Sequence, residues 1–328
     1  MLHERPPREG RMGKGALGVA AAGFALLALC RSVGAEPAIG QFEMKDLDNE
    51  VGRIELQSQN AHAFGQPRRR FLETEPGEVV YDDNAIVRQR HALEIEMTIS
   101  RFHRMRLGIE YENEGLDEPP SPQQADALAG LKLTEVAIES VFILVPLKGD
   151  GVGFGALIEY EHPIEPGELN SVVMGPIVQA VWGPWSATAN LLLVKHFGDG
   201  ERTAEGLERD DKWDFAYAAQ LMLQASERWA FAVEAYGTVD RLGSSGHPGE
   251  GALVFGDHDQ HRIGPLVYAT FGLDRGKDRH EVVGLGAEDD ADADDEEGAE
   301  VTIGLGMLFG LTDSTPDATL KWSVEVEF

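Results

Sequence analysis

The amino-acid sequence predicts an all-β fold: a transmembrane, antiparallel, up-and-down β-barrel of about twelve strands, preceded by a signal peptide. Three observations lead to this prediction. The last residues alternate strictly between apolar and polar, the same alternation recurs along most of the chain, and the first residues have the pattern of an export signal. Strict alternation gives a strand two chemically different faces. For each predicted strand, the fold must therefore provide an apolar environment for the apolar face.

The final segment, ATLKWSVEVEF, shows the alternation most clearly. Its apolar face carries Leu320, Trp322, Val324, Val326 and Phe328, and its polar face carries Lys321, Ser323, Glu325 and Glu327. An apolar face at the very end of an exported chain requires an apolar environment, and lipid supplies one. In hydrocarbon all backbone polar groups must be paired, so a closed barrel is the only all-strand solution.

The first 35 residues predict a signal peptide. Four basic residues in MLHERPPREGRMGKG precede the apolar run Ala16 to Cys30, and the small residues SVGA follow it, which predicts cleavage after Ala35. A retained anchor is the alternative, although the run is short for a spanning helix. Lipidation of Cys30 is disfavoured because the bulky Leu29 precedes it. We therefore expect residues 1–35 to be removed and residues 36–50 to form a periplasmic N-terminal segment.

Alternating segments recur throughout residues 51–328, the predicted barrel. They lie near residues 51–60, 90–100, 104–112, 133–145, 151–162, 171–182, 185–197, 213–226, 229–240, 261–273, 300–312 and 318–328. Short and long connections alternate between them, as in membrane barrels with short periplasmic turns and longer outward loops. Two connections break this parity: residues 274–299 are long where a short turn is expected, and DSTPD is short where a long loop is expected. We interpret the first as a periplasmic insertion whose acidic stretch, 288–298, is disordered.

Tryptophan placement supports a bilayer. Trp182 and Trp185 flank a GP turn, while Trp213 and Trp229 each begin a predicted strand. Aromatic residues gather at the membrane interfaces of barrels. The alternative, in which they cap a soluble core, would require no such placement at strand ends.

The C-terminal strand resembles the signal by which Gram-negative outer-membrane barrels are recognised for assembly, since it alternates and ends in Phe328. This resemblance implies the cell outer membrane, with outer-membrane lipid and the barrel-assembly machinery as partners. The segments EIEMTISRFHRMRLGIEYE, FAVEAYGTVDR and LGMLFGLTDSTPDATLKWSVEVEF are also similar to uncharacterised barrels near the putative transporters of the phenol-degradation meta-pathway. Membership of that group would imply a transport role without naming a substrate.

Charge and composition exclude several classes of partner and cofactor. The chain has a net charge of −29, and removal of residues 1–35, which carry a net +3, leaves −32. Such a chain repels nucleic acid. Cys30 is the single cysteine, so the exported chain forms no disulfide. The loop HPGEGALVFGDHDQH is rich in His and Asp, but its spacing matches no closed metal site, and we expect neither metal nor cofactor.

If the apolar residues face lipid, the alternate residues line the lumen. The predicted lumen-lining residues are Glu94, Glu96, Arg106, Glu110, Glu112, Glu135, Glu139, Glu159, Glu161, Glu234, Arg262, Glu325 and Glu327. Carboxylates outnumber cations among them, and acidic linings favour cations. The alternative is a salt-bridged network that fills the barrel and conducts nothing.

These features favour a passive channel or uptake transporter for small solutes, with a lumen biased toward cations. A non-conducting barrel with a structural or anchoring role is the alternative. An outer-membrane lipid hydrolase is a third hypothesis, which we disfavour because no nucleophile elbow is present and Ser100 and His103, beside one turn, lack an evident third partner. We expect the protein not to be an enzyme, and the lumen carboxylates define a sign of charge but no solute.

Overall fold

The structure is a computed structural model of the chain. It describes residues 42–64, 71–75, 78–81, 87–114, 131–164, 169–198, 202–203, 206–207, 213–239, 242, 259–273, 299–312 and 315–328. The predicted signal peptide, residues 1–35, and the acidic stretch 288–298 lie outside the described residues.

The described chain forms strands. Their bounds are β1 (Ile54–Phe64), β2 (Phe71–Glu75), β3 (Glu78–Tyr81), β4 (Val87–Ser100), β5 (His103–Glu114), β6 (Lys132–Val145), β7 (Gly151–Pro163), β8 (Asn170–Trp182), β9 (Trp185–Phe197), β10 (Arg202–Thr203), β11 (Gly206–Leu207), β12 (Trp213–Gln224), β13 (Trp229–Val239), β14 (Gln260–Leu273), β15 (Ala299–Gly310) and β16 (Ala318–Glu327). Two pairs, β2–β3 and β10–β11, form small separate sheets.

The other strands form one closed barrel with the order β1-β16-β15-β14-β13-β12-β9-β8-β7-β6-β5-β4, in which β4 pairs with β1. All neighbours are antiparallel, and the closing pair β1–β16 runs from Glu55 opposite Glu327 to Phe64 opposite Ala318. Ile54 and Phe328 exchange backbone hydrogen bonds of 3.4 and 3.0 Å at the end of this pair. The predicted twelve-stranded barrel is confirmed.

Predicted and observed strands agree to within a few residues. The largest shift is in β1, predicted near residues 51–60 and observed at Ile54–Phe64. The reason is the turn before it, where Gly52 adopts a positive φ of 92° and its N–H donates to the Thr98 carbonyl. Connections of two to five residues join β4–β5, β6–β7, β8–β9 and β12–β13. We call this end of the barrel the turn end and the opposite one the loop end.

The outward face of the barrel is apolar. On β5, Leu107 is 49% exposed, whereas its neighbour Arg106 is 4% exposed. The same alternation is seen on β4, where Ile95, Met97 and Ile99 are exposed. Burying one such side chain contributes about 1.5–3 kcal/mol, so a belt of them is stable only against lipid. Strands of 10 to 14 residues are long enough to cross a bilayer.

The tryptophans at strand ends are observed where the sequence predicts them. Trp182 ends β8, Trp185 begins β9 and Trp229 begins β13, all at the turn end, whereas Trp213 begins β12 at the loop end. Each is between 37% and 46% exposed. These side chains mark the two interfaces of the apolar belt. Among the described residues, no helix is long and apolar enough to cross a membrane.

A charge on the lipid-facing side should destabilise the barrel according to its depth. We expect Leu107→Arg, near the middle of β5, to lower the free energy of unfolding by about 2–4 kcal/mol, and Val152→Arg, beside the turn end, by about 0–1 kcal/mol. Denaturant titration of the protein folded into lipid vesicles measures both. Equal losses for the two variants would contradict the assignment of the outer face.

Candidate functional site: the barrel lumen and the segment inside it

All the predicted lumen-lining residues lie on the inward face of the barrel. Those that are buried are Glu94, Glu96, Arg106, Glu110, Glu112, Glu139, Glu234 and Arg262. Those that are half-buried are Glu135, Glu159, Glu161, Glu325 and Glu327. Their positions follow from strand parity alone, because side chains two residues apart share a face.

The interior also contains a stretch of chain that precedes the barrel. Residues 36–50 were predicted as a periplasmic segment, whereas the structure places residues 42–48 inside the barrel; residues 36–41 lie outside its description. We call residues 42–50 the lumen segment. Its buried side chains, Glu43, Lys45 and Leu47, are 7%, 7% and 2% exposed. From residue 50 at the turn end, the segment rises toward Phe42, which packs against Tyr236 at a ring-centroid distance of 5.5 Å.

Ion pairs attach the lumen segment to the wall. The Glu43 carboxylate contacts the Arg106 guanidinium and lies 2.5 Å from Lys45 Nζ. Lys45 Nζ in turn lies 2.9 Å from the Glu139 carboxylate. Burial alone would raise the pKa of Glu43, but the positive charges of Arg106 and Lys45 outweigh it and lower this pKa to about 2. The segment is therefore fixed by charges of both signs.

Side-chain amides of the wall hold the backbone of the lumen segment. Asn190 Oδ1 accepts from the Lys45 N–H at 2.9 Å, and Asn190 Nδ2 donates to the Lys45 carbonyl at 2.8 Å. Gln179 Oε1 accepts from the Leu47 N–H at 3.1 Å. Arg104 donates to the Asp46 carbonyl at 2.8 Å and to its carboxylate at 3.0 Å. These bonds satisfy buried backbone groups that no strand pairs.

An apolar contact completes the attachment. Leu47 packs with Val141, Ile143, Leu157, Val173 and Ile177 on the inner wall. Two glycines of β7 make room for it: a Cβ on Gly153 would lie 2.8 Å from Leu47 Cδ1, and one on Gly155 would lie 2.6 Å from Leu47 Cδ2. The alternate glycines of GVGFGA on β7 thus form the seat for one side chain of the lumen segment.

Many of the wall carboxylates are paired with cations. Arg106 lies 2.9 Å from Glu94 and 2.9 Å from Glu96, and Arg90 contacts both Glu110 and Glu112. Sequence reasoning named Arg106 but omitted Arg90, which is 5% exposed. Register identifies Arg90: it stands opposite Glu112 on the β4–β5 pair. These pairs hold the wall together and reduce the charge that it presents to a solute.

A second network lies on the opposite wall. The Glu234 carboxylate accepts from Tyr236 at 2.6 Å, from Gln220 at 2.8 Å and from Lys321 at 2.7 Å, and it also accepts from the Tyr268 hydroxyl. Glu234 has an exposure of 0%. Both of its oxygens are satisfied, so this carboxylate is structural and unavailable to a solute.

A further set of carboxylates has no ion pair. Within the described part of the chain, Glu135, Glu159, Glu161 and Glu325 have no cation at salt-bridge distance, although Glu161 is hydrogen-bonded to Ser171. Glu135, Glu159 and Glu161 face one another near the loop end. Like charges held this close repel one another, which a cation between them would relieve.

The lumen segment separates two cavities. The loop-side cavity is lined by Leu157, Glu159, Glu161, Val194, Asp214 and others above Lys45, and its volume is about 80 Å³. The turn-side cavity is lined by Asp48, Arg53, Arg104, Glu325, Glu327 and others below Lys45, and its volume is about 280 Å³. Glu43 and Lys45 line both cavities. The segment is thus the partition between them.

One hydrogen-bonded chain in the loop-side cavity involves groups known from nucleophilic catalysis. Ser171 Oγ lies 3.0 Å from His196 Nδ1, and His196 Nε2 lies 2.9 Å from Asp214 Oδ2. Ser171 and His196 stand opposite each other on paired strands, whose N–H groups serve the ladder. The paired N–H groups of these two strands are therefore not available to an oxyanion. In this arrangement Ser171 and Asp214 fix the orientation of the His196 imidazole.

Polar side chains also meet on the outer face. Asn60 Oδ1 lies 2.7 Å from His91 Nδ1, and Asn60 Nδ2 donates to Ser58 Oγ at 3.0 Å. The sequence analysis identified no such convergence. The Ser58 hydroxyl and the His91 imidazole are both hydrogen-bonded to the Asn60 amide, which therefore lies between them. At the turn end, His103 Nε2 lies 3.2 Å from Ser140 Oγ, and Ser100 Oγ accepts from the Phe102 N–H at 3.3 Å.

Metal ligation finds no support in the described residues, where no group of three His, Cys, Asp or Glu side chains is arranged around a common point. Residues 247–258 of the His- and Asp-rich loop lie outside the described residues. His261 is described, and it stacks on Tyr217 with its Nδ1 3.1 Å from the hydroxyl.

Comparisons with known proteins give fold-level similarity at low identity. No protein-family model matches the chain, and no curated protein sequence matches it. An outer membrane channel from Pseudomonas putida F1 is similar with a TM-score of 0.46 and 11% identity, covering 90% of this chain and 98% of that one. The NanC porin gives 0.45 and 6%, covering 83% and 98%, and the KdgM porin gives 0.40 and 8%, covering 84% and 98%. Similarity this remote assigns no function.

Burial of the lumen segment can be measured by thiol labelling. We expect Leu47→Cys, at a position 2% exposed, to react with a maleimide far more slowly than Val51→Cys, at a position 60% exposed. Adding Asn190→Ala should accelerate labelling of Leu47→Cys, because it removes both hydrogen bonds to Lys45. Equal labelling rates at positions 47 and 51 in the folded protein would contradict a segment held inside the barrel.

Proposed function

We propose that the protein is an outer-membrane channel for small solutes, biased toward cations and gated by its own lumen segment. The observation that carries this proposal is a closed barrel with a polar interior, in which residues 42–48 lie between a loop-side and a turn-side cavity. Glu43 and Lys45 of the segment line both cavities, so a solute that crosses the lumen has to pass them. A solute passes when the segment shifts.

The cation bias rests on fewer residues than the sequence suggested. Glu94 and Glu96 share an ion pair with Arg106, and Glu110 and Glu112 share one with Arg90. The bias is instead supported by the carboxylates without an ion pair, Glu159 and Glu161 above all, because an uncompensated charge sets the sign of the ion that a pore admits. The proposal thus moves the selective region to the loop-side cavity.

A non-conducting barrel is the second candidate, favoured by the same segment. Buried ion pairs, amide contacts and the Leu47 seat hold residues 42–48 firmly enough that the lumen would stay closed if no signal displaced them. In that case the barrel would serve the envelope structurally. The resemblance to the phenol-degradation transporter group remains a prediction, as does the expectation that the protein is not an enzyme.

Conductance distinguishes the two candidates. In a planar bilayer under a salt gradient, the mature chain should show cation-biased conductance, and deletion of residues 36–48 should increase the single-channel conductance because the partition is gone. Glu159→Gln with Glu161→Gln should reduce the cation preference, whereas Glu227→Gln, in an exposed turn, should not. A folded protein that is silent both with and without residues 36–48 would establish the non-conducting barrel.

Localisation has a separate test. We expect the protein to fractionate with the outer membrane and to stay folded in SDS until heated. In cells expressing single-cysteine variants, an impermeant thiol reagent should label Ser245→Cys in the loop at residues 241–258 and leave Asp292→Cys, in the acidic connection, unlabelled. The opposite labelling pattern would overturn the assignment of the loop end to the exterior.

A further inference from the structure

The loop-side cavity has two chemically distinct surfaces, and strand register places them side by side. Glu159 on β7 stands opposite Val173 on β8, Val173 stands opposite Val194 on β9, and Val194 stands opposite Asp214 on β12. One row across the wall therefore reads carboxylate, valine, valine, carboxylate. Neighbouring strands lie about 4.8 Å apart, so the apolar strip is about as wide as a small ring.

The rows above and below extend this division. Toward the loop end, Glu161 stands opposite Ser171, which stands opposite His196. Toward the lumen segment, Leu157 and Leu192 enlarge the apolar strip, and Ala216 stands opposite Leu192. The cavity thus presents an aliphatic floor with two carboxylates, Glu159 and Glu161, on the same strand at its edge.

Charge compensation within the cavity is incomplete. Among the described residues that line the cavity there is one lysine, Lys45, and its ammonium group is already ion-paired with Glu43 and Glu139. Asp214 is bonded to His196 at 2.9 Å. Glu159 and Glu161 have no ion pair in the described part of the chain: Lys45 acts on Glu159 from a distance, and His196, Arg90 and Lys45 act on Glu161 from a distance. A ligand with one positive charge would supply the missing partner.

The combination selects the ligand class. A hydrated metal cation makes no favourable contact with the valines and leucines. An anion is repelled by the carboxylates of Glu159 and Glu161. A neutral apolar molecule leaves the carboxylates uncompensated. An organic ammonium that carries a small apolar group satisfies both surfaces.

We propose that the loop-side cavity is a binding site for amphipathic organic monocations, with the ammonium at Glu159 and Glu161 and the apolar group on Val173, Val194 and Leu192. This inference rests on the proposed channel for the ligand's route, and it names the class of solute that such a channel would take. Binding itself requires no conduction and is measured separately.

Calorimetry of the purified, detergent-folded mature chain tests the site, with benzylammonium as the probe. Saturable binding is expected for benzylammonium. Benzyl alcohol, which lacks the charge, methylammonium, which lacks the ring, and benzoate, which has the opposite charge, should each bind at least about tenfold more weakly, which corresponds to about 1.4 kcal/mol.

Variants locate the binding to this cavity. Glu159→Gln with Glu161→Gln should weaken benzylammonium at least about tenfold, whereas Glu325→Gln, an unpaired carboxylate of the turn-side cavity, should leave the affinity unchanged. Val194→Asn should weaken benzylammonium and leave the weak methylammonium binding as it was. Heat-dependent gel mobility verifies that each variant is folded.

The outcomes separate this inference from the proposed channel. No binding of benzylammonium, equal binding of benzyl alcohol, or a loss confined to Glu325→Gln would overturn the site, even if the protein conducts. Saturable binding that depends on Glu159 and Glu161 in a protein that is silent in a bilayer would support the site and reject the channel.

Discussion

Closure of the backbone ladder is the constraint on which the rest of the structure depends. In hydrocarbon each unpaired N–H or C=O group costs several kcal/mol, so the first and last barrel strands must pair. They do so along the whole β1–β16 contact, which brings Ile54 and Phe328 together at the turn end. Because the chain enters the barrel at that point, the residues just before β1 stand at the mouth of the lumen. Contacts with the wall, such as those of Lys45 with Glu139 and Asn190, then hold the segment inside the lumen.

The barrel could be predicted from the sequence because its information is local. Alternation of apolar and polar residues along one strand shows that its two faces lie in different environments, and a single segment such as LKWSVEVEF is enough to show this difference. Short and long connections then give strand number and direction. Even the inward direction of Glu94 or Glu234 follows from parity, without any knowledge of which strand lies opposite.

The lumen segment could not be predicted in the same way, since its contacts are non-local. Lys45 is held by Glu139 and Asn190, which are distant from it in sequence. Nothing in the stretch FEMKDLD indicates which residues it contacts. Gly153 and Gly155 were the available signal, because small residues at alternate inward positions leave a space that something must fill. The ion pairs could not be predicted either, because the sequence does not show which carboxylates have a cation beside them: Glu94 is paired with Arg106, whereas Glu159 has no ion pair among the described residues.

The attachment of the segment differs in kind from the wall that surrounds it. The wall is held by a continuous ladder in an environment without water, so no strand can leave alone. The segment is held by buried ion pairs, two amide side chains and one leucine seat. Separating buried charges costs more than separating exposed ones, but release of the segment breaks no bond of the backbone ladder, so it costs less than unfolding of the barrel. A wall that stays intact while the segment moves is the physical requirement for the gate proposed above.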